Sequence, residues 1–217
     1  MVATDFKAEA SSCDAQDPSS RIIEATFRIL MERGYAAATT SEIARRARVS
    51  KRDLYALFDS KEGILAAMIA GRAERMRAPL SLPEAVDRTG LAQTLTLFGK
   101  SLLREGSSKA VLAIMRLAIA EAERAPELAH RLDEDGRRPT RAALSEFFGR
   151  ASERGLVAGA EPDVMASRFF ALLWGDLQMA MLLGLAEAPS AAEIDGRAAV
   201  AVAAWLALYG EPANRGS

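Results

Sequence analysis

Two capping signals eleven residues apart constrain this chain more than anything else in it. Thr39 stands three residues before Glu42, and Ser50 three before Asp53. In each pair a hydroxyl can accept from the third backbone N–H of a helix while the acid reaches back. Two such starts so close together predict two helices of about two turns each, joined by a tight turn. Each buries little: Ile43, Ala44 and Ala47 from the first, Leu54 and Phe58 from the second. Helices this short do not hold alone, so they must pack on a neighbour. Asp17-Pro18 supplies its start, with Asp as N-cap and Pro at the first helical position. Ile23, Phe27 and Leu30 give it an apolar face, and Gly34 ends it. Asp59 or Ser60 caps a fourth, longer helix carrying Ile64, Leu65, Met68 and Ile69.

Beyond Arg77, Pro79 and Pro83 punctuate the chain. The remainder reads as helices over roughly 87–105, 107–124, 126–154, 162–185 and 191–209, with Gly136 and Pro139 placed to kink or split the third. No strand-like alternation occurs. Half of the 217 residues are apolar, enough to build a core. Residues 1–17, poor in large apolar side chains, read as a mobile tail.

Composition narrows the chemistry. The lone Cys13 cannot form an internal disulfide, and the lone His130 rules out sites needing two histidines. Glu121 and Glu123 stand about 200° apart on a helix, no basis for paired acid chemistry. With no glycine-rich phosphate loop and no metal-ligand spacing, we expect no enzyme, no cofactor and no metal. The N-terminus lacks a signal-peptide core, and the longest apolar run, 169–185, is interrupted by Asp176 and Gln178. A cytoplasmic protein without membrane contact is expected.

Charge is distributed unevenly. Between Pro18 and Lys61, nine basic residues face five acids, in a chain whose net charge is −1. A basic N-terminal end on an otherwise acidic chain suits a polyanion partner. Helix, short helix, turn, short helix is the helix-turn-helix plan, whose last helix fits the DNA major groove.

The order Gly34-Tyr35, Thr39-Thr40, Ile43-Ala44, Ala47, Val49-Ser50, Leu54-Tyr55, Phe58 and Lys61-Glu62 resembles the DNA-binding domain of the TetR family. The resemblance implies double-stranded operator DNA as partner, with Thr40 and Tyr55 on the phosphate backbone and Lys61 on a phosphate at the start of the fourth helix. It places Lys51, Arg52 and Ala56 toward base edges, with Ser41, Arg48 and Ser50 among the DNA-binding residues. Three positions depart from the pattern. Arg48 stands where the turn usually has Gly and must accept an awkward backbone. Leu57 replaces a usual Tyr or His, and Asp53 would repel phosphate unless it serves its own helix start. Arg45 and Arg46 stay open between direct DNA contact and a solvated face.

Phe98-Gly-Lys-Ser-Leu-Leu103, Ile119 to Glu123 with Pro126 to Ala129, and Leu173 to Gln178 resemble the AefR-like C-terminal domain. Together the two resemblances imply an all-α chain: a tail over 1–17, a three-helix DNA-binding domain over 18–78, and a connecting helix into a helical ligand-binding and dimerisation domain over 79–217. The implied homodimer would use Phe169, Leu173, Met181, Trp205 and Leu206, in helices too apolar for one buried face. Plain burial in a larger monomer core is the alternative. By analogy a lipophilic effector would meet Phe98, Leu102, Met115, Phe147, Phe170, Trp174 and Gln178. The expected function is a ligand-responsive repressor reading a palindrome as a dimer. An activator or architectural DNA binder without effector, and a scaffold that has lost DNA binding, remain as alternatives.

Overall fold

A computed structural model describes residues 17–82 and 85–210. The tail expected over 1–17, with Cys13, lies outside the described residues except for Asp17. Eleven α-helices account for the described chain, and among the described residues no strand forms; Val157 and Gly210 make an isolated antiparallel bridge. The chain divides into two compact units, at Met68/Ile69.

The first unit holds α1 (Pro18–Arg33), α2 (Thr40–Ala47), α3 (Lys51–Leu57) and the start of α4 (Lys61–Arg77). Its helix starts are written in local side chains. Asp17 accepts from Ser19 N–H, Thr39 from Glu42 N–H, Ser50 from Asp53 N–H, and Ser60 from Gly63 N–H. Gly34 closes α1 at φ 78°. Ile22, Ile29 and Leu30 of α1, Ile43 of α2, Leu54 of α3, and Ile64 and Leu65 of α4 are all wholly or almost wholly buried. Leu54 is the one buried residue of α3, whereas Phe58 is half-buried at its C-cap.

The second unit contains the rest of α4, a 3₁₀ turn (Ala78–Ser81), α5 (Arg88–Gly106), α6 (Lys109–Ala120), α7 (Glu127–Arg131), α8 (Arg138–Glu153), α9 (Pro162–Trp174), α10 (Leu177–Leu182) and α11 (Ala191–Tyr209). Its centre is aromatic. Phe148 stacks on Trp205 at 4.3 Å, Phe169 sits edge-on to both, and Phe98 lies 5.9 Å from Phe169. The Trp205 indole N–H donates to the Met165 carbonyl at 3.0 Å, so its single polar atom is satisfied in the interior. Two glycines let helices approach. A Cβ on Gly99 would stand 3.3 Å from Leu173, and one on Gly106 2.8 Å from the Trp174 ring.

One helix predicted as continuous is broken, and another carries the irregularity expected of it. The segment 162–185 breaks at Gly175, whose φ of 51° and ψ of −127° separate α9 from α10. The guanidinium of Arg116 then donates to the carbonyls of Met181 and Leu182, closing the C-terminal end of α10. The segment 126–154 keeps its helical path but passes through a π-helical stretch, Leu132–Arg137, between α7 and α8. Pro139 cannot donate to the carbonyl four residues back and its ring crowds it, so widening the turn before it relieves both. Gly136 within that stretch fits against Ile69, where a Cβ would come to 2.9 Å.

Candidate nucleic-acid interface

The turn between α2 and α3 is built on Arg48. It adopts φ 53° and ψ 46°, the left-handed region, and is the only non-glycine to do so among the described residues. Its N–H donates back to the carbonyls of Ala44 and Arg45. The awkward backbone expected at this position is therefore present, and the exposed arginine side chain comes with it.

Val49 returns the chain, and Ser50 starts α3. The Ser50 Oγ accepts from Asp53 N–H at 3.0 Å and donates to the Asp53 carboxylate at 2.7 Å. Asp53 is thus held against its own helix start. With Leu54 buried, Lys51, Arg52, Tyr55 and Ala56 are exposed on α3, as is Leu57. A seven-residue helix anchored by one leucine leaves the rest of its surface available to a partner.

Two hydroxyls bring α2 and α3 together. Thr40 Oγ1 and Tyr55 Oη are 3.1 Å apart. Tyr55 stays 49% exposed, so this pair sits at the surface with both oxygens able to turn to a shared acceptor. Ser41 is exposed beside it.

Lys61 occupies the start of α4, partly buried. Its Nζ lies 3.5 Å from the centroid of the Tyr35 ring and donates to the Tyr35 carbonyl at 3.2 Å. The Tyr35 hydroxyl donates to Glu62 at 3.4 Å, and hydrogen bonds from its own backbone N–H, Ser60 and Tyr35 keep the Glu62 carboxyl below its ordinary range. Gly34-Tyr35 and Lys61-Glu62 stood out in the sequence as separate dipeptides. The structure makes them one cluster, and residues 26 apart give no local signal of that.

A second network centres on Glu42. Glu42 accepts from Arg45 Nε and Nη2 at 2.8 and 2.7 Å, accepts from Arg46 Nε at 3.1 Å, and lies 3.6 Å from Arg33. Arg46 also pairs with Glu32 of α1 at 2.6 Å. The hydrogen bond from Arg45 is the main cause that holds the Glu42 carboxyl down to about 2, with Arg46 adding to it. The intervals of three and four residues from Glu42 to Arg45 and Arg46 are those at which helix side chains meet.

Of the residues expected to meet an effector, Phe98, Leu102, Phe147 and Trp174 are buried, and Met115, Phe170 and Gln178 are half-buried. Phe98 and Phe170 touch edge to face at 6.2 Å, and the Gln178 amide points at the Met115 sulfur at 4.0 Å. Phe147 alone of the seven lines a shallow surface groove with Leu91, Leu156 and the guanidinium-bearing Arg150 and Arg154. The residues expected at a dimer contact are placed inside one chain: Phe169, Leu173, Met181 and Trp205 are wholly buried and Leu206 nearly so. Around them Leu172, Met179, Leu183, Val200 and Leu208 are exposed on α9, α10, α11 and the turn after α10. His130 is exposed. Among the described residues no group of His, Cys, Asp and Glu could hold a metal ion, and no helix is long and apolar enough to cross a membrane.

Comparison with known proteins agrees with this geometry. Residues 22–68 match the model of bacterial regulatory proteins of the tetR family, and residues 93–211 match that of the AefR-like transcriptional repressor C-terminal domain. A TetR transcriptional regulator from Agrobacterium tumefaciens is 34% identical, with a TM-score of 0.71 over 90% of this chain and 96% of its own. The flavonoid-responsive regulator FrrA is 27% identical, with a TM-score of 0.70 over 90% of this chain and 98% of its own. The uncharacterized HTH-type transcriptional regulator YvkB of Bacillus subtilis is 31% identical over 87 residues, which is 40% of this chain and 44% of that relative. With a capped two-helix turn in one unit and an all-helical second unit, matched over 22–68 and 93–211, the chain belongs to the TetR family: a DNA-binding transcriptional regulator with an AefR-like C-terminal domain.

Proposed function

We propose that this regulator is a repressor that binds a palindromic operator as a homodimer and releases it on binding a lipophilic small molecule. The observation that carries the reading is α3, where one buried leucine leaves Lys51, Arg52, Tyr55 and Ala56 exposed beside the Thr40–Tyr55 hydroxyl pair. Lys51, Arg52 and Ala56 face base edges in the major groove, with Thr40, Ser41, Arg48, Ser50, Tyr55 and Lys61 serving the phosphate backbone around them.

One such helix reads too few bases for operator discrimination, so two copies are needed about one helical turn of DNA apart. The exposed Leu172, Met179, Leu183, Val200 and Leu208 supply apolar surface for that self-association, while Phe169, Leu173, Met181, Trp205 and Leu206 support it from beneath. The effector reading draws on the half-buried Met115, Phe170 and Gln178 around an aromatic core, and on the flavonoid response after which FrrA is named. The reading assigns no catalytic reaction, cofactor or membrane contact, and places the protein with its DNA in the cytoplasm.

Selection of bound duplexes from a random pool near physiological salt tests the reading. A palindrome with half-sites about one helical turn apart, bound by two chains in sedimentation, is the expected result. Recovery of no sequence above background would overturn it. A panel of flavonoids added to the selected complex then tests the effector class, and unchanged affinity across the panel removes that class.

A further inference from the structure

Ser41, Arg45 and Arg48 follow one another along the exposed side of α2 and its cap, opposite the buried Ile43, Ala44 and Ala47. Arg45 lies one helical turn beyond Ser41 on the same stripe. In the DNA-binding reading above, on which this inference rests, Ser41 and Arg48 border the phosphate backbone, and Arg45 stands between them.

Arg45 is nevertheless turned along its own helix. Both prongs of its guanidinium are matched to both oxygens of Glu42, at 2.8 and 2.7 Å. Glu42 is itself held in place: its side chain is 19% exposed, and Arg46 and Arg33 approach the same carboxylate. Arg46 differs from Arg45 in kind. It is only 20% exposed and bridges Glu42 to Glu32 of α1, a tie between two helices. Arg45 is 67% exposed and pairs with Glu42 alone among the described carboxylates.

We propose that Glu42 is a positioning residue that limits backbone affinity: by holding Arg45 along α2 it keeps that guanidinium off the DNA phosphates. The contacts of α3 with base edges are untouched by this restraint. Its effect therefore falls on binding to all sequences alike: it lowers affinity for operator and bulk DNA by the same factor and leaves their ratio unchanged.

The test is the affinity for a random-sequence duplex between 50 and 200 mM salt. It is measured for the wild type, E42Q, R45A and E42Q/R45A, each confirmed helical and folded by circular dichroism. For E42Q we expect the salt slope to steepen by about 0.9, one added phosphate contact, equal to about a 3-fold larger loss of affinity across that range. R45A is expected to leave the wild-type slope unchanged and to return the E42Q slope to the wild-type value. That dependence on Arg45 separates release of the side chain from the mere loss of one negative charge. R45A flattening the slope equally in both backgrounds, or in neither, overturns the proposal. If E42Q does not fold, Glu42→Asp replaces it, its shorter reach loosening the pair. Part of the same steepening is then expected, and a slope equal to wild type overturns the proposal. A wild-type protein that binds no duplex at 50 mM salt strikes the DNA-binding reading itself. Wild-type binding with equal slopes strikes this inference alone.

Discussion

The hydroxyl of Tyr55 on α3 stands 3.1 Å from that of Thr40 at the start of α2, so one pair of oxygens spans the two helices of the turn. Tyr55→Phe removes one oxygen and leaves the half-exposed ring. We expect DNA affinity to fall by about 1 kcal/mol, as for one lost hydrogen bond, and equally on operator and random duplex. Fluorescence anisotropy on both duplexes checks this. A loss confined to the operator would move Tyr55 into base readout.

Arg52 and Lys61 should separate by the kind of loss. Arg52→Ala on exposed α3 is expected to cost about 1–3 kcal/mol on the selected site and to relax base choice there. Lys61→Ala should weaken binding to every sequence and flatten the salt slope by about one unit. Equal losses on preferred and random DNA for Arg52→Ala would take it out of base readout.

Arg48 is strained where glycine is not. A left-handed non-glycine backbone costs about 1–2 kcal/mol, and glycine returns about half of that through its greater freedom when unfolded. Arg48→Gly should therefore stabilise the fold by up to about 1 kcal/mol in urea unfolding, and bind random duplex more weakly at low salt. A destabilised variant would mean that the arginine side chain contributes more than its backbone costs.

Trp174 covers Gly106 so closely that a methyl group there would stand 2.8 Å from the ring. Gly106→Ala forces the indole or α5 to shift, and a loss of about 1–3 kcal/mol in thermal or urea unfolding is expected. Tryptophan emission should change in the folded state. Wild-type stability with unchanged emission would mean that the ring has room to move away at no cost.

Glu42 ties stability to acid pH. Its folded carboxyl is depressed from 4.5 to about 2, chiefly by the hydrogen bond from Arg45, so the folded state favours the ionised form. That contribution is fully present above about 4.5 and is lost as pH falls toward about 2. Melting temperatures of wild type and E42Q should therefore differ at pH 6 and converge as pH is lowered through that window. A gap that persists unchanged at pH 2 would disprove the assignment.

The first unit was the more legible half because its helix ends are decided locally. Asp17, Thr39, Ser50 and Ser60 each accept from an N–H two or three residues away, a distance that sequence displays directly. The choice between Asp59 and Ser60 needed coordinates. In the second unit the apolar run 162–185 pointed to burial on two sides; within the chain one stripe of it is buried, and sequence carries no sign of which residues form that stripe. Phe169 and Leu173 meet Phe98 and Gly99 of their own chain, whereas Leu172 and Met179, of the same type and nearly the same positions, face outward. Leu172 lies about 100° round α9 from Leu173, and beyond the Gly175 break α10 starts with its own phase. A glycine in an apolar run gives no advance notice of whether its φ will be positive. The Tyr35–Lys61 contact joins residues too far apart in the chain for any window of sequence to reveal.

That same lysine has a consequence for timing. A solvated lysine wanders among many rotamers and must surrender them when a phosphate captures it. Lys61 rests on the Tyr35 ring with a carbonyl already in its grasp, so much of that surrender happens when the chain folds. In the DNA-binding reading proposed above, an encounter with DNA then finds the ammonium already placed, and less searching by the side chain is needed.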